Sequence, residues 1–579
     1  MPKEIMRIVC SLLFSLLIAW GGMLSAQTLP YPEYVVAHLD KDFYVAGEDV
    51  WYSIHFLNPQ ARRSNLVYVD VLGPDGKTVL SQMLRAEKGY AQGDIALPGN
   101  LKRGYYEFRV YTRWNLNFQD QEVYRRYLAV YEANENIEQL DSVTARSSPA
   151  WGKDFTISGS QASYSPREMV QLQLAPASPR DLQAQLSVSV LDEAYTGTAN
   201  DSSWQPVMTR ASARVVPPLA KNSQPVDPET DYSRTFIIKN PETGERITSN
   251  FVVCFVRQTG QRMLKVTSNG IVNLEFQDFY DSTEVQIFDT NPFKEVYTPE
   301  IGLVNRTIPV GSAQPMTDLP PLTPRVAAYL RAYQKRFQLM RMFGTTRLLR
   351  AARPVNQPLD KVPTTVYKTR DFIPQPSMYD FVKQVVNPVK IQQYGKGSDA
   401  SYKLRLFVPH KANRASNKLV KKPPLMRVNE YFTYDVKNFV EMPWEDVTRV
   451  EVYNDAVELP GQFGPIGEFG VMAVYTKDPA NTPAKIAQAP NNLMISGLYL
   501  PREFPLPNHS AEADEGSRLP DFRPMIYWNP HVLMDPMQSK TLDFPAPDKP
   551  GTYLVRIRGV WEDGSPIQSE YRIEVELKR

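Results

Sequence analysis

The sequence has very little cysteine, which removes one means of stabilising a folded domain. Only Cys10 and Cys254 occur among its 579 residues. Cys10 lies in an N-terminal apolar segment that we predict to be cleaved, so the mature chain cannot form an internal disulfide. Each domain must therefore be stabilised by its apolar core. Cys254 stands between Val253 and Phe255, a setting that predicts a buried, unreactive side chain.

Histidine is also scarce, and the motifs of common catalytic and metal sites are missing. None of the 5 histidines has a Glu or His partner at the spacing of a zinc-binding helix. They are His38, His55, His410, His509 and His531. No Gly-x-Ser-x-Gly elbow occurs, and Gly395-Lys396-Gly397-Ser398 lacks the upstream glycine of a phosphate-binding loop. We therefore predict no catalytic, cofactor-binding or metal-binding residue, and a chain that is not an enzyme.

Two groups of residues still invite a functional interpretation. Asp40-Lys41-Asp42 with Glu48-Asp49 could form a carboxylate pair or a calcium site, but the intervening apolar residues favour exposed loop charges. A set of tryptophans could stack on sugars, but each lies in a strand-like run and is predicted to be a buried core residue. These are Trp51, Trp114, Trp444 and Trp528.

A strong charge of either sign is absent. The 65 basic and 63 acidic residues are spread along the chain and leave a formal net charge of +2. No global field therefore favours nucleic acid or an anionic surface as a partner.

Long apolar runs are absent except at the N-terminus. Basic residues, the apolar run from Ile8 to Trp20 and the small residues Leu24-Ser25-Ala26 follow one another there. This order predicts a signal peptide over residues 1–26, with the mature chain starting near Gln27. The alternative is a membrane anchor, but Gly21-Gly22 interrupts the run before it reaches about 18 residues. We predict export, with no transmembrane span and no lipid-anchored cysteine.

What the sequence does contain favours β structure. Its 49 Pro, 31 Tyr and 25 Phe supply turn and strand formers, whereas helix-favouring blocks are scarce. At about 100 to 200 residues per domain, the length predicts three to five domains. The predicted fold class is mainly β, with tandem Ig-like β-sandwiches and a small α+β domain.

Residues 27–135 give the clearest domain pattern. Apolar and polar residues alternate in Val50 to Phe56, Val67 to Val71 and Tyr106 to Val110, which predicts a β-sandwich. The segments His38-Leu39-Asp40-Lys41, Tyr44-Val45-Ala46-Gly47-Glu48 and Leu101-Lys102-Arg103-Gly104-Tyr105-Tyr106 resemble the macroglobulin-type domain of alpha-2-macroglobulin relatives. The resemblance implies a strand, a glycine turn and a strand that open a macroglobulin-like sandwich.

Residues 150–310 are predicted to form a second β-sandwich with an insertion, because Phe155 to Ile157 and Tyr164 to Leu174 repeat the strand pattern. Residues 206–232 lack periodicity and are predicted to be a loop, and Asn269-Gly270 is predicted to be a hairpin turn. Cys254 is not in the Cys-Gly-Glu-Gln sequence of a macroglobulin thioester, so covalent capture by that route is excluded.

Residues 311–361 are predicted to be a helical linker. Apolar residues share one face of a helix between Pro324 and Gly344, and most basic residues avoid that face. The apolar residues are Val326, Leu330, Tyr333, Phe337 and Met340. The stripe indicates a helix docked on its own protein with solvated charges; the alternative is a helix that binds an anionic surface.

Residues 362–480 carry a second resemblance. Pro424 to Tyr431, Trp444 to Tyr453 and Gly467 to Lys477 follow the order of the plug domain of TonB-dependent outer-membrane receptors. Asn429-Glu430 departs from the family pattern, which favours Asp-Gly there. The remaining sequence leaves no room for a receptor barrel, so the resemblance implies a plug-like domain without a pore.

Two further segments remain open to more than one interpretation. The basic segment from Lys411 to Lys422 is either the mobile rim of a binding face on the plug-like domain or an ordinary solvated loop. Residues 490–579 are predicted to be a C-terminal β module. Gly551-Thr552-Tyr553 resembles the sorting domain of surface proteins secreted by the type IX route, although a simple hairpin explains the pattern equally well.

Together these features favour a non-catalytic interaction or scaffold protein of the Gram-negative envelope. Sandwich edges and the plug-like domain would offer docking surfaces to an outer-membrane or periplasmic protein, with the plug-like domain as the main contact. The predicted location is the periplasm, in peripheral association with the outer membrane, and the alternative is the cell surface. The rival function is a carbohydrate- or protein-processing enzyme with an unrecognised site.

Overall fold

The computed structural model describes most of the chain beyond the predicted signal peptide. The described residues are 31–58, 62–118, 122–138, 140–141, 153–196, 203–213, 227–247, 251–290, 298–303, 318–343, 362–410, 413–419, 422–507 and 521–577. The predicted signal peptide and the cleavage near Gln27 lie outside them. Within them, no helix has the length and apolar character needed to cross a membrane. The predicted mainly β fold class is confirmed.

The chain divides into two compact units. The first contains residues 1–230, 309–349 and 501–579, and the second contains residues 231–308 and 350–500. Each unit is therefore built from segments that are distant in sequence.

The first sandwich begins the first unit. Its strands are β1 (Val35–Leu39), β2 (Phe43–Val45), β3 (Asp49–Phe56), β4 (Leu66–Leu72), β5 (Thr78–Arg85), β6 (Tyr90–Ala96), β7 (Gly104–Tyr111) and β8 (Tyr124–Tyr131). A three-stranded sheet, β1-β3-β6, faces a five-stranded sheet, β2-β8-β7-β4-β5. Strand β3 is buried along both faces after its first residue. Its inner face fills the core of this sandwich, and its outer face meets the second sandwich.

The second sandwich starts in the next segment. Its first strands are β9 (Phe155–Gly159), β10 (Ser163–Tyr164), β11 (Met169–Pro176) and β12 (Ala184–Asp192). Helix α1 (Trp204–Ala213) follows, where the sequence predicted only a loop. Trp204 anchors it, because this buried indole donates a hydrogen bond to the carbonyl of Ala37 at 2.8 Å. Residues 214–226 of the predicted loop lie outside the described residues.

The second unit opens with a third sandwich. Its strands here are β13 (Tyr232–Lys239), β14 (Phe251–Val256), β15 (Arg262–Val266), β16 (Ile271–Phe276), β17 (Ser282–Asp289) and β18 (Glu300–Leu303). The predicted turn at Asn269-Gly270 is confirmed, since both residues have positive φ (50° and 69°) and Ser268 pairs with Ile271. Cys254 is buried as predicted, and its burial raises the pKa of the thiol.

Helix α2 (Pro324–Phe343) returns to the first sandwich. Val326 and Leu330 of the predicted apolar face are buried against Phe43 and Val45. Docking of this helix on its own protein is therefore confirmed. The side chains of Phe337 and Met340 lie outside the described residues.

An α+β module, residues 362–490, follows. Its elements are β19 (Thr365–Lys368), α3 (Met378–Gln384), β20 (Val389–Tyr394), β21 (Ser401–His410), β22 (Asn413–Leu419), β23 (Leu425–Val428), β24 (Tyr431–Thr433), α4 (Val436–Val440), β25 (Val447–Tyr453), α5 (Leu459–Phe463), β26 (Val471–Thr476) and α6 (Ala484–Ala487). A five-stranded sheet, β19-β25-β26-β23-β24, and a three-stranded sheet, β20-β21-β22, share a core with helices α3 and α4.

The last strands complete sandwiches that began earlier in the chain. They are β27 (Asn492–Ser496), β28 (Met525–Met534), β29 (Lys540–Pro545), β30 (Gly551–Trp561) and β31 (Pro566–Val575). Strand β27 pairs with β17, which gives the third sandwich the sheets β16-β13-β18 and β15-β14-β17-β27. Strand β12 lies between β30 and β28, so the second sandwich has the sheets β10-β31-β30-β12-β28 and β29-β11-β9.

This pairing corrects two predicted domains. Residues 490–579 are not a separate C-terminal module, and residues 150–310 are not one sandwich, because strands of both segments contribute to two different sandwiches. The physical reason lies in β12, which is buried on both faces and at both edges by partners from the end of the chain. Alternating residues define the faces of a strand but do not specify its neighbours.

Candidate binding surface and buried polar clusters

The acidic segment between β1 and β3 is buried, which overturns the prediction of exposed loop charges. Asp40 is 1% exposed and accepts hydrogen bonds from the Tyr44 hydroxyl at 2.7 Å and the Trp51 N–H at 3.0 Å. Burial raises the pKa of this carboxyl to about 6. Among the described residues, no group of acidic, histidine or cysteine side chains could hold a metal ion.

Glu48 connects the first sandwich to helix α2. Lys41 Nζ lies 2.9 Å from Glu48 Oε2, and Arg336 Nη2 lies 3.2 Å from Oε1, which also accepts a hydrogen bond from Tyr329. Burial alone would raise the pKa of Glu48, but Lys41, Arg336 and the Tyr329 hydroxyl lower it below its ordinary value. Arg336 is thus an ion-pair partner, and not one of the solvated charges that the sequence predicted for this helix.

The neighbouring carboxylates attach the first sandwich to other parts of its own unit. Asp42 accepts two hydrogen bonds from Arg556 of β30, at 3.0 and 3.1 Å. Arg502 pairs with Asp94 and Asp49 on adjacent strands β6 and β3. Each buried carboxylate therefore has a cationic or hydrogen-bonding partner, as burial requires.

Ser187 of β12 lies between two histidines of the first sandwich. Its Oγ is 2.7 Å from His38 Nδ1 and 3.2 Å from His55 Nε2, and it donates a hydrogen bond to the carbonyl of Arg558. The three side chains are buried, and burial lowers the pKa of His55 to about 3. A base this weak, beside a hydroxyl already bonded to the backbone, forms a structural contact between sandwiches and not an accessible nucleophile.

The tryptophan predictions divide into two pairs. Trp51 and Trp528 are 6% and 5% exposed, and both belong to one apolar cluster, as predicted. Trp114 and Trp444 instead lie in 3-10 turns, Trp114–Asn117 and Trp444–Asp446, and are half-buried. The structure therefore corrects the prediction that they are strand residues of the core.

One edge of the α+β module is fixed to the third sandwich. Gln286 of β17 accepts a hydrogen bond from the N–H of Phe432 and donates one to its carbonyl, at 2.9 and 3.1 Å. The Phe255 and Phe432 rings stack at 4.3 Å, and Arg257 pairs with Glu430. The amide of Gln286 thus acts as a strand would toward β24 and closes this edge to other partners.

The asparagine at position 429 has a local structural explanation. Asn429 has a φ of 52°, which asparagine tolerates better than most residues. Its side chain bonds the N–H of Thr476 and the hydroxyl of Thr482, at 2.9 and 2.8 Å. Asparagine therefore provides both the turn and a contact between β23 and the segment after β26.

The opposite side of the module presents a basic surface. Lys390 of β20 is directly opposite Arg405 of β21, and Lys403 follows on the same face of β21. Both lysines are exposed and Arg405 is half-buried. Within the described part of the chain, none of the three has an ion-pair partner, and Arg405 Nε lacks a hydrogen-bond partner. We call the face formed by Lys390, Gln392, Tyr394, Lys403 and Arg405 the basic face.

The free edge of β20 borders this face. Strand β20 is the terminal strand of its sheet and pairs only with β21 among the described strands. Its side chains alternate strictly over the first residues, with Val389 and Ile391 turned to the core and Lys390 and Gln392 exposed. Tyr394 is 53% exposed at its end. An extended peptide could therefore pair with β20 and place alternate side chains over the basic face.

A second like-charge pair in the module differs from the first. Lys368 of β19 is opposite Arg449 of β25. Arg449 is compensated, because its Nε lies 2.8 Å from Glu451 and its guanidinium lies 3.8 Å from the centre of the Tyr475 ring. The basic face thus differs in that its cations have no such partner within the described ranges.

Sequence reasoning identified the neighbourhood of the basic face but not its residues. The predicted basic segment from Lys411 to Lys422 includes β22, which pairs with β21. The side chains from 411 to 421 lie outside the described residues, so its two interpretations stay open. Lys390 and Arg405 were missed because only the pairing register brings them together. Alternating charge within Val389–Tyr394 and Ser401–His410 was the available signal.

Comparison with known proteins gives distant similarities. No family model matches the sequence, and no curated protein matches it. Native Escherichia coli alpha-2-macroglobulin is similar at 10% identity and a TM-score of 0.24, over 94% of this chain and 40% of that one. Methylamine-reacted Salmonella alpha-2-macroglobulin is similar at 10% identity and a TM-score of 0.23, over 96% of this chain and 40% of that one. The Escherichia coli adhesin FdeC is similar at 11% identity and a TM-score of 0.13, over 47% of this chain and 64% of that one.

The chain spans about two-fifths of the length of the macroglobulins it matches, with 40% of each covered. TM-scores of 0.24 and below carry no conclusion about a shared fold or activity. The fold class therefore rests on the strands and sheets themselves.

Proposed function

We propose that this chain is a non-catalytic interaction protein of the bacterial envelope that binds a protein partner through its α+β module. The observation that carries the proposal is the asymmetry of that module. Gln286 closes the β24 edge, whereas β20 combines an edge without a strand partner in the described chain and an uncompensated basic face. An exposed strand edge is usually either protected from pairing or used to bind a partner strand. Lysine alone can protect an edge, but two cations directly opposite each other also attract an anionic partner, which supports binding.

The envelope location is part of the proposal and depends on the predicted signal peptide. The order of basic residues, apolar run and small residues in positions 1–26 supports export. The resemblance of residues 362–480 to receptor plug domains supports the periplasmic side of the outer membrane, and the cell surface is the alternative. Protease accessibility of the chain in intact cells separates the two.

Site-specific photocrosslinking in the intact envelope tests the proposed function. A photoreactive residue replaces Gln392, which is exposed on β20, and a control replaces Gln173, which is exposed on β11 of the second sandwich. We expect a discrete protein adduct from position 392 and none from position 173. Adducts from position 173 alone would assign binding to the sandwiches. Substitution is preferable to deletion of the module, because β27 must still return to β17.

The rival function, an enzyme, has one supporting contact, the approach of Ser187 to His38 and His55. We expect no reaction of Ser187 with a fluorophosphonate probe, because its hydroxyl is buried and already donates to a carbonyl. Labelling that disappears in Ser187→Ala would overturn the non-catalytic proposal.

A further inference from the structure

The basic face combines two features that select one kind of ligand. Lys390 and Arg405 are directly opposite across β20 and β21, and like charges in that position destabilise a sheet. Burial of the Arg405 Nε without a hydrogen-bond partner among the described residues adds a further cost. An anionic group between these cations would remove both costs.

The adjacent strand edge narrows the choice of anion. Residues 389–394 of β20 have no strand on their outer side in the described chain, so their outward N–H and C=O groups can pair with an added strand. Lipid headgroups and free phosphate would satisfy the cations but not this edge. A polypeptide with carboxylate side chains satisfies both.

We infer that the basic face and the free edge of β20 bind an extended acidic segment of a partner protein by strand addition. The inference rests on the proposed function and specifies the chemistry of its partner. It also predicts a sequence pattern. Side chains of the added strand alternate between faces, so Asp or Glu lies beside Lys390 and Gln392, and aliphatic residues lie beside Val389 and Ile391.

The module has a second edge strand with an exposed lysine, Lys368 of β19, which provides a matched control for Lys390 of β20. Lys390 and Lys368 are both exposed on edge strands, and both are opposite an arginine. The arginine opposite Lys368 has a carboxylate partner, Glu451, whereas the arginine opposite Lys390 has none among the described residues. Charge reversal at Lys390 should therefore weaken binding, whereas the same change at Lys368 should not.

The experiment measures fluorescence anisotropy of labelled peptides with the purified full chain. The acidic peptide alternates Glu with Val, and its comparator carries Lys in place of Glu. We expect the acidic peptide to bind at least about tenfold more tightly, and Lys390→Glu to weaken it by about tenfold or more, because like charges at an interface oppose association. Lys368→Glu should leave its affinity within about twofold, since rim charges remote from the contact have little effect.

Backbone pairing has its own test, which leaves the protein unchanged. N-methylation of either the Glu or the Val residues blocks alternate N–H groups of the peptide. In a strand addition only one set of N–H groups faces β20. One methylated peptide should therefore lose binding and the other should retain it. Equal tolerance of both would overturn strand addition.

Other outcomes distinguish this inference from the proposed function. Equal binding of acidic and basic peptides would mean that Lys390 only protects the edge from aggregation, and the inference fails. Binding of phosphatidylglycerol vesicles that is lost in Lys390→Glu, without peptide binding, would assign the face to a membrane and overturn it. If either result accompanies a protein adduct at position 392, the proposed function stands and only the partner chemistry is wrong.

Discussion

Two regions of the molecule differ in whether their charged side chains are buried with partners or exposed with none among the described residues. Around Asp40, Asp42 and Glu48 the carboxylate side chains are buried and each has a partner. The partners of Asp42 and Glu48 come from segments distant in sequence, whereas those of Asp40 are local. On the basic face the cations are exposed or half-buried, and no described carboxylate pairs with them. Buried charges must be paired to be tolerated, whereas exposed charges are tolerated without a partner at a cost of less than about 1 kcal/mol. The first region therefore depends on its partners to stay folded, and the second is the surface that we propose binds a partner.

The largest expected effect comes from breaking the buried network. Glu48→Gln leaves Lys41 and Arg336 without their shared carboxylate. Removal of one partner from a buried ion pair costs about 3 to 5 kcal/mol, and we expect the lower end because Arg336 retains 24% side-chain exposure. Urea unfolding followed by tryptophan fluorescence measures the change, since Trp51, Trp204 and Trp528 lie in the first unit.

Glu132→Gln is the control for this change. Glu132 pairs with Lys102, whose side chain is 80% exposed, and an exposed pair contributes less than about 1 kcal/mol. Equal losses in the two variants would contradict the assigned difference between buried and exposed pairs.

A second prediction uses pH. The pKa of Asp40 is raised from 3.8 to about 6, so between these values the folded chain binds a proton that the unfolded chain does not. Its contribution to stability therefore falls as pH rises through this window. The pKa of His55 is lowered from 6.5 to about 3, so its contribution falls as pH decreases below 6.5. Between about pH 4 and pH 6, Asp40 and His55 therefore change the free energy of unfolding with pH in opposite directions.

Asp40→Asn should remove the pH dependence of stability that Asp40 contributes and leave that of His55. Relative to the unmodified chain, its free energy of unfolding should increase by up to about 3 kcal/mol between pH 3.5 and pH 7, at about 1.4 kcal/mol per pKa unit. Urea unfolding across this range measures it. Asp75→Asn is the control, because the N–H of Lys77 lowers the pKa of that exposed carboxyl. A difference that does not vary with pH would disprove the assigned role of Asp40.

The same contrast explains what could be predicted from the sequence. Strand β3, the Asn269-Gly270 turn and helix α2 follow from periodicity and turn chemistry within a few residues. The burial of Glu48 does not, because its partners Tyr329 and Arg336 are 281 and 288 residues away. A short charged segment indicates solvent exposure until a distant segment covers it.

The domain bounds could not be predicted from local sequence either, because they depend on which strands pair. The pairing of β12 with Gly551–Trp561 depends on contacts across more than half the chain, which no local pattern of residues specifies. The basic face is also a product of register, since Lys390 meets Arg405 only through the β20–β21 pairing. Local pattern therefore supplied the elements, whereas long-range contacts determined the domains and the candidate site.

The smallest expected effect tests whether the basic face is uncompensated in solution. Lys390→Gln removes a like charge opposite Arg405, so it should stabilise the second unit by about 0.2 to 0.5 kcal/mol at low salt. In 1 M salt the gain should vanish, because the Debye length falls to about 3 Å. Lys368→Gln should give a smaller gain in stability, since Glu451 already compensates the charge of Arg449. Urea unfolding of both variants at two salt concentrations measures the gains. Equal gains in the two variants would mean that Arg405 has a compensating partner, and a gain independent of salt would mean that the charge of Lys390 is not its cause.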